Sequence, residues 1–430
     1  MALRLRSALS AAASGRLLRH RALSVEATSR PQWGMIVGTH PVKSPALGAT
    51  FHLAEPPRAS RLLVPAHLLG SGPLPGVDRG IMGALFCDVC AVSADGFLLL
   101  NFLDVRTTGP VLESQRADPF RDVTLSALPE ATRFVCNPLS GELFRLPDID
   151  GTKKTLCDNR LGLLTKARRG HGPPDRYAVA ELLQKKEPSR RFSMRRFLSE
   201  TGEWEKLTGL PSPLPLPLAR RREVQEVDHE AVAFGGRLWW VDVSCGAVSA
   251  DPFSDRPELR FVELPEGKER VAPDPRTLCR YRRVGVSEGR LRYAVVSQWE
   301  PFVLRSFALD GDDDWTLEHE VALSPLWTNG GYPWLPMEET PRIAVIDPMN
   351  ASIMHLTIGN YVVTVDMDTG KVVASVIVSA EHQFALIMTA GGFFRAFLLS
   401  PWLGSSRIPR AGKPGNARNK TLADVLIRSN

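Results

Sequence analysis

Leu238-Trp-Trp-Val-Asp-Val243 is apolar at odd and even positions alike, and so is Phe97-Leu-Leu-Leu-Asn-Phe-Leu103. Successive side chains of a strand point to opposite faces, so a run without alternation must be covered on both sides. An antiparallel sheet with one wet face would alternate apolar and polar residues instead. A membrane barrel would also alternate, with polar residues toward its lumen. The pattern that fits is a strand sandwiched between neighbouring sheets, as in propeller blades that stack face to face around an axis.

Similar short apolar runs fill the chain: Asp95–Val105, Arg133–Leu146, Arg191–Leu207, Ala231–Val243, Arg290–Trp299, Phe302–Leu309, Arg342–Ile346, Ile353–Val365, Lys371–Ser379 and Phe384–Leu399. Another strand candidate lies at Ser60–Leu69. They are rich in Val, Leu, Phe and Trp, and long stretches of helical period are missing, which reads as many strands and few helices. Ser140-Gly-Glu-Leu143, Thr201-Gly-Glu-Trp204 and Thr369-Gly-Lys-Val372 each place a small polar residue and Gly between two apolar runs. Gly accepts a positive φ without a Cβ clash, so these are hairpin turns. Ser287-Glu-Gly-Arg290 and Asp310-Gly-Asp312 are looser versions. Gly202 and Gly370 lie 168 residues apart, which divides into four steps of 42, inside the roughly 40–50-residue range of propeller blades. Phe234-Gly-Gly-Arg-Leu-Trp-Trp240, with paired Gly entering an apolar strand, is similar to a kelch blade. The expected fold is all-β: a β-propeller of about six or seven blades, similar to kelch propellers.

Where the charge sits matters more than its total. The formal net charge is +6, yet residues 1–25 carry five Arg and no acid, and residues 407–430 carry six Lys or Arg against Asp424 alone. Each end contributes +5, so residues 26–406 hold −4. A mildly acidic body does not predict a nucleic-acid partner. No uninterrupted apolar stretch approaches the roughly 18 residues of a membrane-spanning helix.

The first 25 residues, rich in Arg, Ser, Ala and Leu, can form a basic amphipathic helix. This is the composition of an organelle transit peptide, and Arg4, Arg6 and Arg16 interrupt any secretory core. The abundance of Arg predicts a mitochondrial location ahead of a chloroplast one, with cytosol or nucleus the alternative if the leader is not an address. The expected organisation is a leader at 1–25, a linker at 26–50, the propeller at 51–403 and a basic tail at 404–430.

The search for chemistry assigns no site. Cys87, Cys90, Cys136, Cys157, Cys245 and Cys279 are too scattered for a disulfide framework or a zinc site, and Cys87 and Cys90 should point to opposite faces of a strand. Gly151-Thr-Lys-Lys-Thr155 lacks a phosphate loop's spacing, having Leu146 and Thr152 where Gly and Lys belong. Asp310-Gly-Asp-Asp-Asp314 lacks the spacing of a calcium loop and reads as a solvated hairpin tip. His40, His52, His67, His171, His319, His355 and His382 are isolated. Asp228-His229-Glu230 is flanked by acid on both sides and reads as a structural or surface cluster at the start of a strand. The tryptophans, among them Trp239, Trp240, Trp299, Trp315, Trp327 and Trp334, are expected to pack blade against blade. Pro211, Pro213, Pro215 and Pro217 forbid regular sheet and read as an inter-strand connection, as does the Gly-rich, basic stretch 151–176. No catalytic, cofactor-binding or metal-binding residue is assigned.

Glu230-Ala-Val-Ala-Phe-Gly-Gly-Arg-Leu-Trp-Trp-Val-Asp-Val-Ser244, running on through Phe261-Val-Glu-Leu-Pro265, closely resembles the plant proteins grouped as domain of unknown function 1618, which are numerous in grasses. Phe134-Val-Cys-Asn-Pro to Leu146-Pro147 and the Ser297-Gln-Trp-Glu300 to Trp315 region resemble the same group, so the resemblance spans roughly 50–400. It implies a propeller like those behind F-boxes and transfers no activity, cofactor or site. The expectation is a monomeric, non-catalytic platform for a protein partner. The alternatives are a ubiquitin-ligase adaptor without an F-box and an enzyme whose site forms across blades.

Overall fold

The computed structural model describes residues 31–409, apart from 70–80, 109–129, 150–160, 168–171, 185–190, 216–229, 266–274, 383–393 and positions 312, 331, 333, 337 and 381. The leader at 1–25, Gly151–Thr155, Arg168, Arg169, His171, Pro217, Asp228, His229 and tail residues 410–430 therefore lie outside the described residues.

Among the described residues, twenty-five strands form six blades around an axis. The first blade holds β5 (Ile81–Val92), β6 (Leu98–Thr108), β7 (Glu130–Cys136) and β8 (Leu143–Arg145). The second holds β9 (Gly162–Lys166), β10 (Arg176–Gln184), β11 (Phe192–Leu198) and β12 (Glu203–Leu210). The third holds β13 (Glu230–Phe234), β14 (Arg237–Asp242), β15 (Gly246–Ala250) and β16 (Arg260–Glu263). The fourth holds β17 (Arg282–Ser287), β18 (Arg290–Val296), β19 (Val303–Leu309) and β20 (Trp315–Ala322). The fifth holds β21 (Arg342–Ile346), β22 (Ile353–Ile358), β23 (Tyr361–Asp366) and β24 (Lys371–Ile377). Each of these blades is an antiparallel meander.

The sixth blade is assembled from both halves of the chain. Its inner strand is β25 (Arg395–Leu398), which pairs with β1 (Trp33–Ile36) in the register Met35 to Ala396. Beyond β1, the backbone N–H of Ser60 donates to the Met35 carbonyl at 2.7 Å. Outside it lies the sheet of β2 (Thr39–Val42), β4 (Arg61–Pro65) and β3 (Thr50–His52). Strands β1 and β2 thus fall within 26–50, expected as linker, because β25 needs a pairing partner to complete its ladder.

Among the described residues, an apolar cluster fills each of the six gaps between blades, which is how a ring without a single central core holds itself together. Leu238 and Trp240 pack toward the second blade, against Leu164, Leu182 and Met194. Trp239, Val241 and Val243 pack toward the fourth, against Val284, Leu291 and Tyr293. The strand that alternates with nothing is thus covered on both faces, as its sequence requires. Likewise Leu98, Leu100 and Phe102 join Ile36 and Phe397 of the sixth blade, while Phe97 and Leu99 join Leu163 and Val179 of the second. Cys87 packs on the first of these sides and Cys90 in the second, so the two thiols do face apart.

The blade spacing differs from the expectation. Gly202 turns β11 into β12 and Gly370 turns β23 into β24, both at positive φ. Their 168 residues cover three blades, about 56 each, because connections such as 211–229 and 330–341 lengthen the repeat. The stretch 151–176, read as an interruption, carries the second blade's inner strand. In β9, Gly162-Leu-Leu-Thr-Lys166, the first four residues are buried. Gly162 lies where a Cβ would meet Leu238 at 2.8 Å, so the absent side chain lets the second and third blades close up. Pro211 to Pro215 do lie in a connection, between β12 and β13, with Leu214 packed in the cluster between those blades.

Candidate functional site: a well at one end of the axis

The inner strands β5, β13, β17, β21 and β25 end together around a cavity of about 360 Å³. Its walls are apolar: Ala231, Val232 and Ala233 of β13, Val284 and Val286 of β17, Val345 and Ile346 of β21, and Ala396 and Leu398 of β25. At the mouth stand the turns that follow those strands, with Ala94, Glu288, Gly289 and Met349 exposed. Glu230, Arg283 and Arg395 form the floor, and all three are buried.

The floor is an ion cluster built from three blades. One carboxylate oxygen of Glu230, Oε2, accepts from Arg283 Nη2 and from Arg395 Nη1, each at 3.4 Å. Arg283 Nη1 also donates to the Ala344 carbonyl, and Arg395 Nε to the Val89 carbonyl. Blades one, three, four, five and six are thereby tied at the axis. Burial drives the Arg283 guanidinium below its usual range, and the Glu230 charge opposes that. Burial likewise raises the Asp88 carboxyl, with Arg395 opposing. Desolvated charges persist only when paired and hydrogen-bonded, which is what Glu230 and the two carbonyls supply.

The mouth is held in shape by its own turns. Asp347 Oδ1 accepts from the backbone N–H of Met349 at 2.7 Å and of Asn350 at 3.0 Å, fixing the turn that presents Met349. Glu288 and Gly289 both take positive φ in the two-residue turn between β17 and β18. The Glu288 N–H donates to the Pro348 carbonyl, joining the fourth and fifth blades at the rim.

Of Asp228-His229-Glu230, read in the sequence as a structural or surface cluster, Glu230 alone is described, and it is buried at the axis in a structural ion cluster. Arg283 and Arg395 drew no notice, since nothing in the local sequence separates an axial arginine from a surface one. The Asp310 to Asp314 turn is a hairpin tip, closed by the Asp310 N–H to the Asp314 carbonyl at 2.8 Å. His355 is buried beside Trp33, with Nδ1 3.0 Å from Thr364 Oγ1 and Nε2 3.7 Å from Asp347 Oδ2. Ser379 Oγ lies 2.8 Å from His382 Nδ1 and also accepts the His382 N–H, a local turn contact three residues long. Among the described residues, no group of three His, Cys, Asp or Glu is placed to hold a metal. Trp240 and Trp327 are buried between blades as expected, whereas Trp299 and Trp334 are exposed. Among the described residues no helix is long and apolar enough to cross a membrane.

Comparison with known structures returns propellers. The chain is 10% identical to the β-propeller domain of Cps50 (Swd1) from Myceliophteria thermophila, over 68% of this chain and 74% of that one, with a TM-score of 0.33. The periplasmic gluconolactonase PpgL of Pseudomonas aeruginosa is 12% identical over 86% of this chain and 99% of its own, with a TM-score of 0.34. Apo AztD of Citrobacter koseri is 10% identical over 69% and 72%, with a TM-score of 0.28. Likenesses of this size transfer no activity or ligand to the chain. No curated protein matches it. The model of the family described as protein of unknown function (DUF1618) matches residues 240–358, a shorter span than the resemblance at 50–400. That match runs from Trp240 on β14 through Arg283 to Ile358 at the end of β22, and over this stretch the chain is similar to the DUF1618 family.

Proposed function

We propose that this propeller is a binding platform whose recognition end is the face with the axial well. The observation that carries this reading is Met349, 46% exposed at the lip of an apolar-walled cavity whose polar groups are gathered at its floor. Binding sites are mostly apolar concavities with a few convergent polar groups, and exposed Met suits adaptable apolar contact. The turns that rim the well come from different blades, so a partner would touch the ring as a whole. The floor speaks for recognition over catalysis: two guanidiniums held by backbone carbonyls share one carboxylate, a static arrangement. The partner is taken to be a protein, met in the mitochondrion to which the basic leader would direct the chain.

Proximity labelling with the full chain tests both halves. Mitochondrial neighbours are expected, and the double variant Ala94→Glu/Met349→Glu should lose a subset of them while keeping its fold. An unchanged set of neighbours from the variant would overturn the recognition face, and purely cytosolic and nuclear neighbours would overturn the location.

A further inference from the structure

The last described strand leaves the chain beside the well. β25 ends at Leu398, which lines the cavity, and 399–408 then crosses the first blade outward. A Cβ on Gly96, in the turn after β5, would meet Leu403 Cδ2 at 2.9 Å. Farther out, Asn137 Nδ2 donates to the Leu403 carbonyl at 2.7 Å and to the Ser406 carbonyl at 2.8 Å, and the Ile408 N–H donates to Glu142 Oε2 at 2.8 Å. Strands β5, β6 and β7 alternate in direction, so the turn from Asn137 to Glu142 opens at the same end as the mouth of the well. The described chain therefore stops on the well face, two to three strand spacings from the inner strand, or about 10–14 Å.

The residues that follow have the length and the chemistry to come back. Residues 410–421 span about 40 Å when extended, more than the return requires. Arg410, Lys413, Arg418 and Lys420 lie in that stretch with no acid, against a body that holds −4 over 26–406. Beyond them Leu422, Val425 and Leu426 stand at i, i+3 and i+4, the spacing of one apolar helical face, with Asp424 and Arg428 off it. The walls of the well are aliphatic to match, with the polar groups confined to the floor.

We infer that residues 422–427 cover the well of their own chain, with Leu422, Val425 and Leu426 against Val232, Val286 and Val345, so that a partner must displace this segment to enter. The inference rests on the axial well being the recognition site, and it adds how that site is regulated. On a tether this short the effective concentration is about 1 mM. A segment with an intrinsic dissociation constant of about 0.1 mM then covers the well in roughly ten molecules of eleven, and a competitor binds about tenfold more weakly.

Isothermal titration of the full-length protein with a synthetic peptide of residues 421–428 tests it, independently of any cellular partner. The variant Leu422→Asp/Leu426→Asp, altered only in the segment, should bind the peptide about tenfold more tightly than the unaltered protein, because nothing in cis competes. Adding Met349→Glu to that variant should remove the binding. With diamide as oxidant, Met349→Cys/Val425→Cys should close a disulfide within one molecule. Val373→Cys/Val425→Cys should not, since Val373 is exposed on β24 of an outer edge away from the well. Equal or weaker peptide binding by the segment variant, binding that survives Met349→Glu, or closure of both cysteine pairs alike would overturn the inference. A bridge between positions 349 and 425 found only between two molecules would also overturn it, and would make the occupant a second copy. If the titration fails while Ala94→Glu/Met349→Glu still loses its neighbours, the platform reading stands without this regulation.

Discussion

Glu230 on β13 and Arg395 on β25 are 165 residues apart in the chain and 3.4 Å apart across the axis. They stand on the third and sixth blades, opposite each other in a six-membered ring. Their contact exists only if the last strand closes the ring against the first. The well and its charge therefore depend on the pairing of β1 with β25.

That pairing has a steric signature. A Cβ on Gly34 would lie 2.5 Å from Phe397 Cζ and 3.2 Å from Leu53 Cδ1. Gly34→Val should destabilise the protein by about 2 kcal/mol through overpacking. Phe397→Leu makes room, so the double variant should be more stable than the sum of the single effects predicts. Urea midpoints of the three variants check this.

The closure was not legible beforehand, and the reason is physical. Trp33-Gly-Met-Ile36 is four residues with no alternation to read, and its partner lies at the opposite end of the chain. The two-sided burial of Leu238 to Val243 was legible, because a covered strand shows in its own residues. Turn chemistry was legible at Gly141, Gly202 and Gly370, where positive φ favours glycine. The blade count had no such local cue once connections of unequal length broke the even spacing. The axial cluster was the least legible: Glu230, Arg283 and Arg395 come from three blades and each looks locally like an ordinary charged residue at a strand start.

A second tie joins the second and third blades off the axis. Arg196 on β11 is buried and donates from Nε to Glu205 at 2.6 Å and from Nη1 to the carbonyls of Pro252 at 2.7 Å and Ser254 at 2.5 Å. Arg196→Met strands both carbonyls and should cost about 3 kcal/mol. Arg196→Lys should recover less than half of that, since an ammonium cannot span the fork. Chemical denaturation distinguishes the two.

The buried thiols predict a pH window. Burial pushes Cys87 and Cys279 up to about 12 from an ordinary value of 9.0, with the Thr39 hydroxyl opposing the shift at Cys87 and Arg280 opposing it at Cys279. In the unfolded chain these thiols ionise near 9.0, while the folded protein keeps their protons to about 12. Unfolding then releases protons, so stability falls as pH rises through that window. Cys279→Ala should flatten the fall in urea midpoint between those limits. At pH 8, mass mapping after mild alkylation should find Cys90, Cys136, Cys245 and Cys279 unmodified, since the thiolate is the reactive form.

The coupling energy between positions 230 and 395 is the sharpest single measurement. A double-mutant cycle in urea, with Glu230→Gln and Arg395→Met, should give a coupling of at least about 1.5 kcal/mol, as expected for charges in one buried network. Additivity within about 0.5 kcal/mol would mean the two residues do not meet. The closed ring, and the charged floor of its well, would then be contradicted.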